Sequence, residues 1–387
     1  MTSEESARRS RQSLRFAGAA VAFACDDEGA RRWLADTVAP WFALDGPASA
    51  PPLVWLRGCA SRFAELEARR GTAPLAEVPC FEFDRSLATY PGWSEPDGTT
   101  IAYDALFGCY FVFHPQRIEI VGMPGNRCPR MGLFRVVREL ATLRAELRPQ
   151  LNLHGAGLVW AGRAVLLVGE KYSGKTTLLA HALASGEAAL LANDRVVIAG
   201  DRAFGVPTMV SIREHTRQVF PRLAAGLPDR PYLHSLAELA GAPPHPPRAG
   251  ERFVLAPGQF ASQLGSTSAA SARLGAIVFP RVTPECEGWS IERVSPAEGA
   301  ARLDACGYGP RTGRRDATWF RRLVSDDAAG PASGPDRSRT GSIAGPCSPR
   351  DLAERIPMVR MVLGTGAYDE NARSWLSALP MAGGGAS

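Results

Sequence analysis

Along the first 150 residues, apolar and polar positions alternate in short runs broken by turn residues, the spacing of half-buried strands. It predicts strands at 19–25, 53–56, 81–83, 99–103, 108–114 and 117–122, with a Pro-rich break at 47–52. Two stretches change to the helical period. Residues 29–42 set Trp33, Leu34, Val38 and Trp41 on one side, and residues 131–147 align Leu133, Val137, Leu140, Leu143 and Leu147 in a core-facing stripe.

The pattern sharpens beyond residue 150. Two strands, 153–160 and 163–168, meet at Ala161-Gly162; a helix over 176–185 closes at Gly186; a fully apolar strand follows at 188–192. Residues 196–198 and 203–206 form a hairpin around Gly200-Asp201. The segment 206–325 is less periodic. It predicts a helical stretch near 213–223, a loop at 243–247, a strand at 274–279 paired with 289–294, and a helix at 296–305. Residues 326–350 are rich in Ser, Pro, Gly and Ala, lack any period, and are expected to be a disordered linker. A strand at 360–363 and a last helix at 369–379 complete the chain. The expected organisation is a flexible basic arm (1–15), a mixed α/β N-terminal domain (16–150), a nucleotide-binding domain (151–325), the linker (326–350), and a C-terminal strand and helix (351–387) that complete the second domain.

One stretch carries recognisable chemistry. Gly169-Glu170-Lys171-Tyr172-Ser173-Gly174-Lys175-Thr176 fits the phosphate-loop pattern G-x-x-x-x-G-K-[ST], with Thr177 next to it. It lies between a predicted buried strand and a predicted helix, so loop N–H groups and the helix N-terminus converge on one anion. Gly169 and Gly174 permit positive φ and close approach to phosphates. Lys175 would reach the β- and γ-phosphates of ATP, and the Thr176 hydroxyl would ligate Mg²⁺. Glu170 and Lys171 are loop positions with no role assigned beyond local charge.

Composition strengthens this assignment. Of 44 Lys+Arg, two are lysines, Lys171 and Lys175. A chain that otherwise uses Arg keeps Lys where a compact ammonium is required. The net charge of +5 is small for 387 residues and gives no indication of nucleic acid. The eight cysteines are scattered, with no C-x-x-C and no zinc spacing, which suits free thiols in a reducing cytoplasm. Arg8-Arg9-Ser10-Arg11 before the apolar run 16–25 imitates a secretion signal. The run is short, however, and Asp26-Asp27-Glu28 follow at once, so a basic arm is expected instead. No apolar run reaches about 18 residues, so no membrane span is expected.

A phosphate site also needs a carboxylate for Mg²⁺ or for the attacking group. Asp194, at the end of the strand 188–192, is the candidate for both, although an Asp there can simply cap a turn. Arg195 is readable as a stabiliser of transferred charge or as a surface residue. Arg213 and Arg217, one helical turn apart, are readable as an anion clamp or as a solvated face.

His154-Gly155, then 169–176, then Ala192-Asn193-Asp194-Arg195-Val196, in this order and spacing, resemble the core of the HPr kinase/phosphorylase family, which has the PEP carboxykinase-like P-loop fold. The likeness is good over roughly residues 150–210 and looser around 276–280 and after Pro357. It implies an α/β fold with a P-loop kinase core, and ATP-dependent phosphorylation of a serine hydroxyl. On this likeness Lys175, Thr176, Gly169 and Gly174 match the family's loop, and its paired acids fall on Asn193 and Asp194. His154 would donate a hydrogen bond beside the γ-phosphate; read alone, it is equally a satisfied core histidine at a strand end.

Two departures matter. Asn193 cannot take a proton at neutral pH, so the base is Asp194, another residue, or absent. Val210-Ser211-Ile212-Arg213-Glu214 is only a weak echo of the family's downstream Glu-Ile-Arg-Gly-type signature. The expected acceptor is therefore not HPr but a hydroxyl of another protein, a peptide or a small molecule, and self-association is left open. A nucleotide-binding module without phosphotransfer is the alternative. A motor or transporter ATPase would need a later apolar strand ending in Asp-Glu, or an LSGGQ-like signature, and neither is present.

Overall fold

Among the described residues, two large sheets, of nine and eight strands, organise the fold. The computed structural model describes residues 11–46, 48, 51–83, 86–220, 222–223, 253–283, 285–307, 318–328, 347–364 and 372–382. The first sheet holds β1 (Arg11–Phe16), β2 (Ala19–Cys25), β3 (Ala43–Asp45), β4 (Val54–Gly58), β5 (Ala76–Phe83), β6 (Ser86–Ser94), β7 (Thr100–Asp104), β8 (Cys109–His114) and β9 (Arg117–Gly122). Their order is β3-β1-β2-β4-β9-β8-β7-β6-β5, antiparallel except where β4 lies parallel to β2 and to β9. Helices α1 (Glu28–Val38) and α2 (Ala60–Arg70) lie within this stretch, and α3 (Pro129–Glu146) follows it.

The second sheet holds β10 (Leu151–Trp160), β11 (Arg163–Val168), β12 (Ala189–Ala192), β13 (Arg195–Ala199), β14 (Arg202–Gly205), β17 (Ser271–Thr283), β18 (Trp289–Arg293) and β19 (Met358–Gly364). A short ribbon pairs β15 (Val210–Ile212) with β16 (Phe253–Leu255). The helices among the described residues of this half are α4 (Lys175–Ala184), α5 (Glu214–Val219), α6 (Pro257–Gln263), α7 (Pro296–Ala305), α8 (Trp319–Ala328), α9 (Pro349–Arg355) and α10 (Arg373–Ala378). β11 pairs with both β10 and β17, so β11, β10, β13, β14 and β17 close a circuit of pairings rather than lying flat. The chain is thus a mixed α/β protein.

Several expectations are corrected. Residues 11–15, assigned above to a flexible arm, belong to β1, which pairs with β2 from Arg11↔Ala24 to Phe16↔Ala19. The turn is Ala17-Gly18, with φ of 46° and 82°. That is the double positive-φ geometry of a tight hairpin, carried by a pair lacking the usual Asn-Gly signal. Helix α1, expected over 29–42, ends at Val38, because Pro40 disfavours helical backbone at the preceding residue. Trp41 therefore leaves the helix and donates its indole N–H to the carbonyl of Leu191 at 2.5 Å. β18 pairs with β19, not with β17. The loop at 243–247 and most of 326–350 lie outside the described residues, while both ends of the latter are helical, in α8 and α9.

The 16–150 and 151–325 division is also crossed by packing. α3 is buried nearly all round rather than along one stripe, so it is a central helix. One apolar core runs from Leu14, Phe23 and Phe111 through Phe134 and Leu140 to Leu158, Val165, Leu178 and Trp375. α8, from the C-terminal half, docks on the first sheet, where Trp319 stacks on Phe113 at 5.5 Å and Phe320 meets Phe81 at 4.7 Å. A second cluster, containing Leu166, Val168, Ile198, Ile277, Leu303 and Leu352, fills the other face of the second sheet. No helix among the described residues is long and apolar enough to cross a membrane.

Candidate functional site

Register brings the predicted residues together. Gly155 pairs with Val168, the residue before the glycine loop, and Gly155 N–H donates to the carbonyl of Asp194 at 3.0 Å. His154 pairs with Arg195, the residue after Asp194. Hence Gly169, His154 and the Asn193-Asp194 link between β12 and β13 stand side by side where β11 ends, β13 begins, and β10 passes within its length from one partner to the other.

The loop is tightly constrained. Gly174 caps α4 with φ of +94°. A Cβ there would lie 2.9 Å from the Val282 Cβ, so β17 seals the loop from behind and only glycine fits. Tyr172 also has positive φ, +71°, unusual for a bulky residue, and its side chain is 70% exposed. Ser173 Oγ is buried and finds no hydrogen-bond partner among the described residues. Gly169 is required in part by this hydroxyl, which a Cβ would approach to 2.9 Å. α4 begins at Lys175, and its first-turn N–H groups have no acceptor within the helix. Leu178, Leu179, Ala180, Ala182 and Leu183 are all buried, so the helix that presents this turn is anchored along its length.

Lys175 is buried, and its ammonium donates to the carbonyls of Gly169 at 2.7 Å and Glu170 at 2.8 Å. The cation is therefore held inside the loop. Thr176 and Thr177 are half-buried in the first turn, while Glu170 and Lys171 are exposed. Just before β13, the Asp194 carboxylate is half-exposed and stands 3.6 Å from His154 Nδ1, a nitrogen that is buried and makes no hydrogen bond among the described residues. This distance is an ion-pair contact, longer than a hydrogen bond.

No group of three or more His, Cys, Asp and Glu that could hold a metal exists among the described residues. Thr176 and Asp194 offer only hard oxygen donors, which suits Mg²⁺ completed by phosphate and water rather than a closed protein cage.

No protein-family model matches the chain. No curated protein matches it either.

Of the arginines singled out earlier, Arg195 has another role. Arg195 is neither on the surface nor in the site. It is buried and donates to Glu139 at 3.1 Å, Glu146 at 3.2 Å and Asn152 at 3.3 Å. Arg321, from α8, reaches the other oxygen of Glu146 at 3.2 Å. Burial pushes the Glu146 carboxyl up, against the pull of the two arginines. Of the proposed clamp, Arg213 stacks its guanidinium 4.5 Å above the Tyr172 ring, and the Arg217 side chain lies outside the described residues.

The structure adds residues that periodicity does not reveal. Val282 backs the loop from a strand more than a hundred positions away. Thr208 and Met209 bind Asn193, whose Oδ1 accepts from Thr208 Oγ1 at 2.6 Å and whose amide nitrogen faces the Met209 carbonyl at 3.5 Å. His181 of α4 accepts from the Trp375 indole at 3.3 Å, tying α10 to the loop helix. Of these, Thr208 stands out in the sequence as the one polar residue between Val206 and Val210.

Proposed function

We propose that the chain is an ATP-dependent phosphotransferase of the P-loop kinase type, cytoplasmic, with a hydroxyl of a protein, peptide or small molecule as acceptor. The observation that carries this is the convergence, where β11 ends and β13 begins, of a glycine loop with a buried lysine and a half-exposed aspartate beside a histidine. The resemblance to HPr kinase/phosphorylase over residues 150–210 supports the same chemistry.

In this mechanism the loop N–H groups and the first turn of α4 hold the phosphate tail. Lys175 exchanges the Gly169 and Glu170 carbonyls for phosphate oxygens and draws charge from the transferring group. Thr176 and Asp194 would hold Mg²⁺, which when bound neutralises phosphate charge. Asp194 orients the incoming hydroxyl and accepts its proton; His154, 3.6 Å away, steadies that carboxylate. The new bond joins the acceptor oxygen to phosphorus, the old bond to the nucleoside diphosphate breaks, and little else is required beyond alignment and charge stabilisation.

Asn193 favours one second reading, a nucleotide-binding module without turnover, because it supplies no carboxylate. Incubation with γ-labelled ATP, Mg²⁺ and a fractionated lysate tests transfer directly. The expected result is a labelled acceptor with wild type, none with Lys175→Ala, and none with Asp194→Asn although that variant still binds ATP. Transfer retained by Lys175→Ala would refute the mechanism. Nucleotide binding with no labelled product in any fraction favours the module.

A further inference from the structure

Asn193 stands where the resembled family has the first of two acids, yet its surroundings demand an amide. Its Oδ1 accepts from Thr208 Oγ1 at 2.6 Å, and its Nδ2 faces the Met209 carbonyl at 3.5 Å. A carboxylate could take the first contact but would set an anion against the carbonyl oxygen in the second. Asn193 and Thr208 are both 8% exposed, so this bracket is sheltered from competing water. It fastens 208–209 to the end of β12, immediately before β15 (Val210–Ile212). Arg213 comes directly after that strand.

Arg213 is exposed and has no carboxylate partner among the described residues, although ion pairs occupy many of the other arginines. Its one described contact is the Tyr172 ring, 4.5 Å away. Tyr172 belongs to the glycine loop and holds φ of +71°. A guanidinium stacked on a ring keeps its N–H donors directed outward in its own plane, where they can fork onto phosphate oxygens. Lys175 is held at the Gly169 and Glu170 end of the loop and Lys171 lies 5.4 Å from the same Tyr172 ring, so Arg213 brings a third cation, from outside the loop, to this part of it.

We infer that Arg213 contacts the terminal phosphate of a bound nucleoside triphosphate, and that Asn193 is a positioning residue that holds Arg213 over the loop through Thr208 and Met209. This rests on the nucleotide function proposed above and assigns Asn193 a purpose other than proton transfer.

The test is calorimetric titration of the full chain with MgATP and with MgADP. Wild type is compared with Arg213→Ala, Arg213→Lys, Asn193→Asp, Thr208→Val and the Arg213→Ala/Asn193→Asp double variant. A lost charge-assisted contact to the terminal phosphate weakens ATP binding about tenfold, while ADP binding moves by less than about twofold. Arg213→Lys recovers part of the ATP preference. Asn193→Asp and Thr208→Val lower it in the same direction, and the double variant is no worse than Arg213→Ala alone, since both act through one contact. An ATP-to-ADP preference unchanged by Arg213→Ala overturns the inference, as does full additivity in the double variant. Failure of wild type to bind either nucleotide is a separate result, which removes the nucleotide function itself.

Discussion

Replacing Arg195 by Met tests whether the buried charge cluster, rather than the surface, joins the two halves. Arg195 is 3% exposed and is shared by Glu139 and Glu146. Those acids stand two helical turns apart on α3, on one face. Of these two acids, Arg321 pairs with Glu146 among the described residues. Without Arg195, Glu139 keeps no cation among the described residues, and Asn152 Oδ1 loses its donor. Uncovering a buried carboxylate costs about 3–5 kcal/mol, a large share of the stability of most domains.

The pH dependence follows from Glu146, whose carboxyl burial already holds above its ordinary 4.5. An acid raised in the folded state contributes stability that is complete below its unfolded value and is lost as pH rises through the folded one. Removing Arg195 raises Glu146 further, so the deficit is larger at pH 8 than at pH 5. Urea melts of wild type, Arg195→Met and Arg195→Met/Glu139→Gln at both pH values measure this, with the double variant recovering at least about 1 kcal/mol. A single-variant loss under about 1 kcal/mol, or a deficit that grows on acidification, would refute the reasoning.

Gly174→Ala forces a side chain into left-handed backbone at about 1–2 kcal/mol, adds a collision with Val282, and lowers the melting temperature; Val282→Ala in the same chain recovers part of the loss. Cys59, whose thiol is drawn below its ordinary range by the Ser61 hydroxyl, reacts with iodoacetamide at neutral pH before Cys25, whose thiol burial pushes up to about 12. Mass-spectrometric site mapping over time reads the order, and equal rates would contradict it. Phe320→Ala, at a fully buried position against Phe81 and Phe113, costs about 3–5 kcal/mol by denaturant titration. A loss near zero would mean α8 is not docked.

The local half of this fold was legible, and the long-range half was not. Strand β11, the glycine loop and α4 could be read from Val165 to Leu183 because period, glycines and lysine all agree within twenty residues. β1 was missed because Ala17-Gly18 is a poor turn signal, and α2 because Leu66 is its one buried residue. The strand partner of β18 was misassigned because pairing of β17 with β11 and β19 is set by residues outside any window of sequence. At the site, Asp194 was legible from the end of an apolar strand, whereas His154, expected at a strand end, lies within β10. The opposite fates of Arg195 and Arg213 depend on α3 and on Tyr172, which no local pattern connects to them.

Helix α8 has a practical consequence for anyone dividing the molecule. A fragment stopping at residue 150 would strip the aromatic faces of Phe81 and Phe113 of their cover and leave Glu146 without either arginine. Such a piece should precipitate or bind hydrophobic dye when expressed alone, and supplying residues 151–387 in trans should restore its solubility.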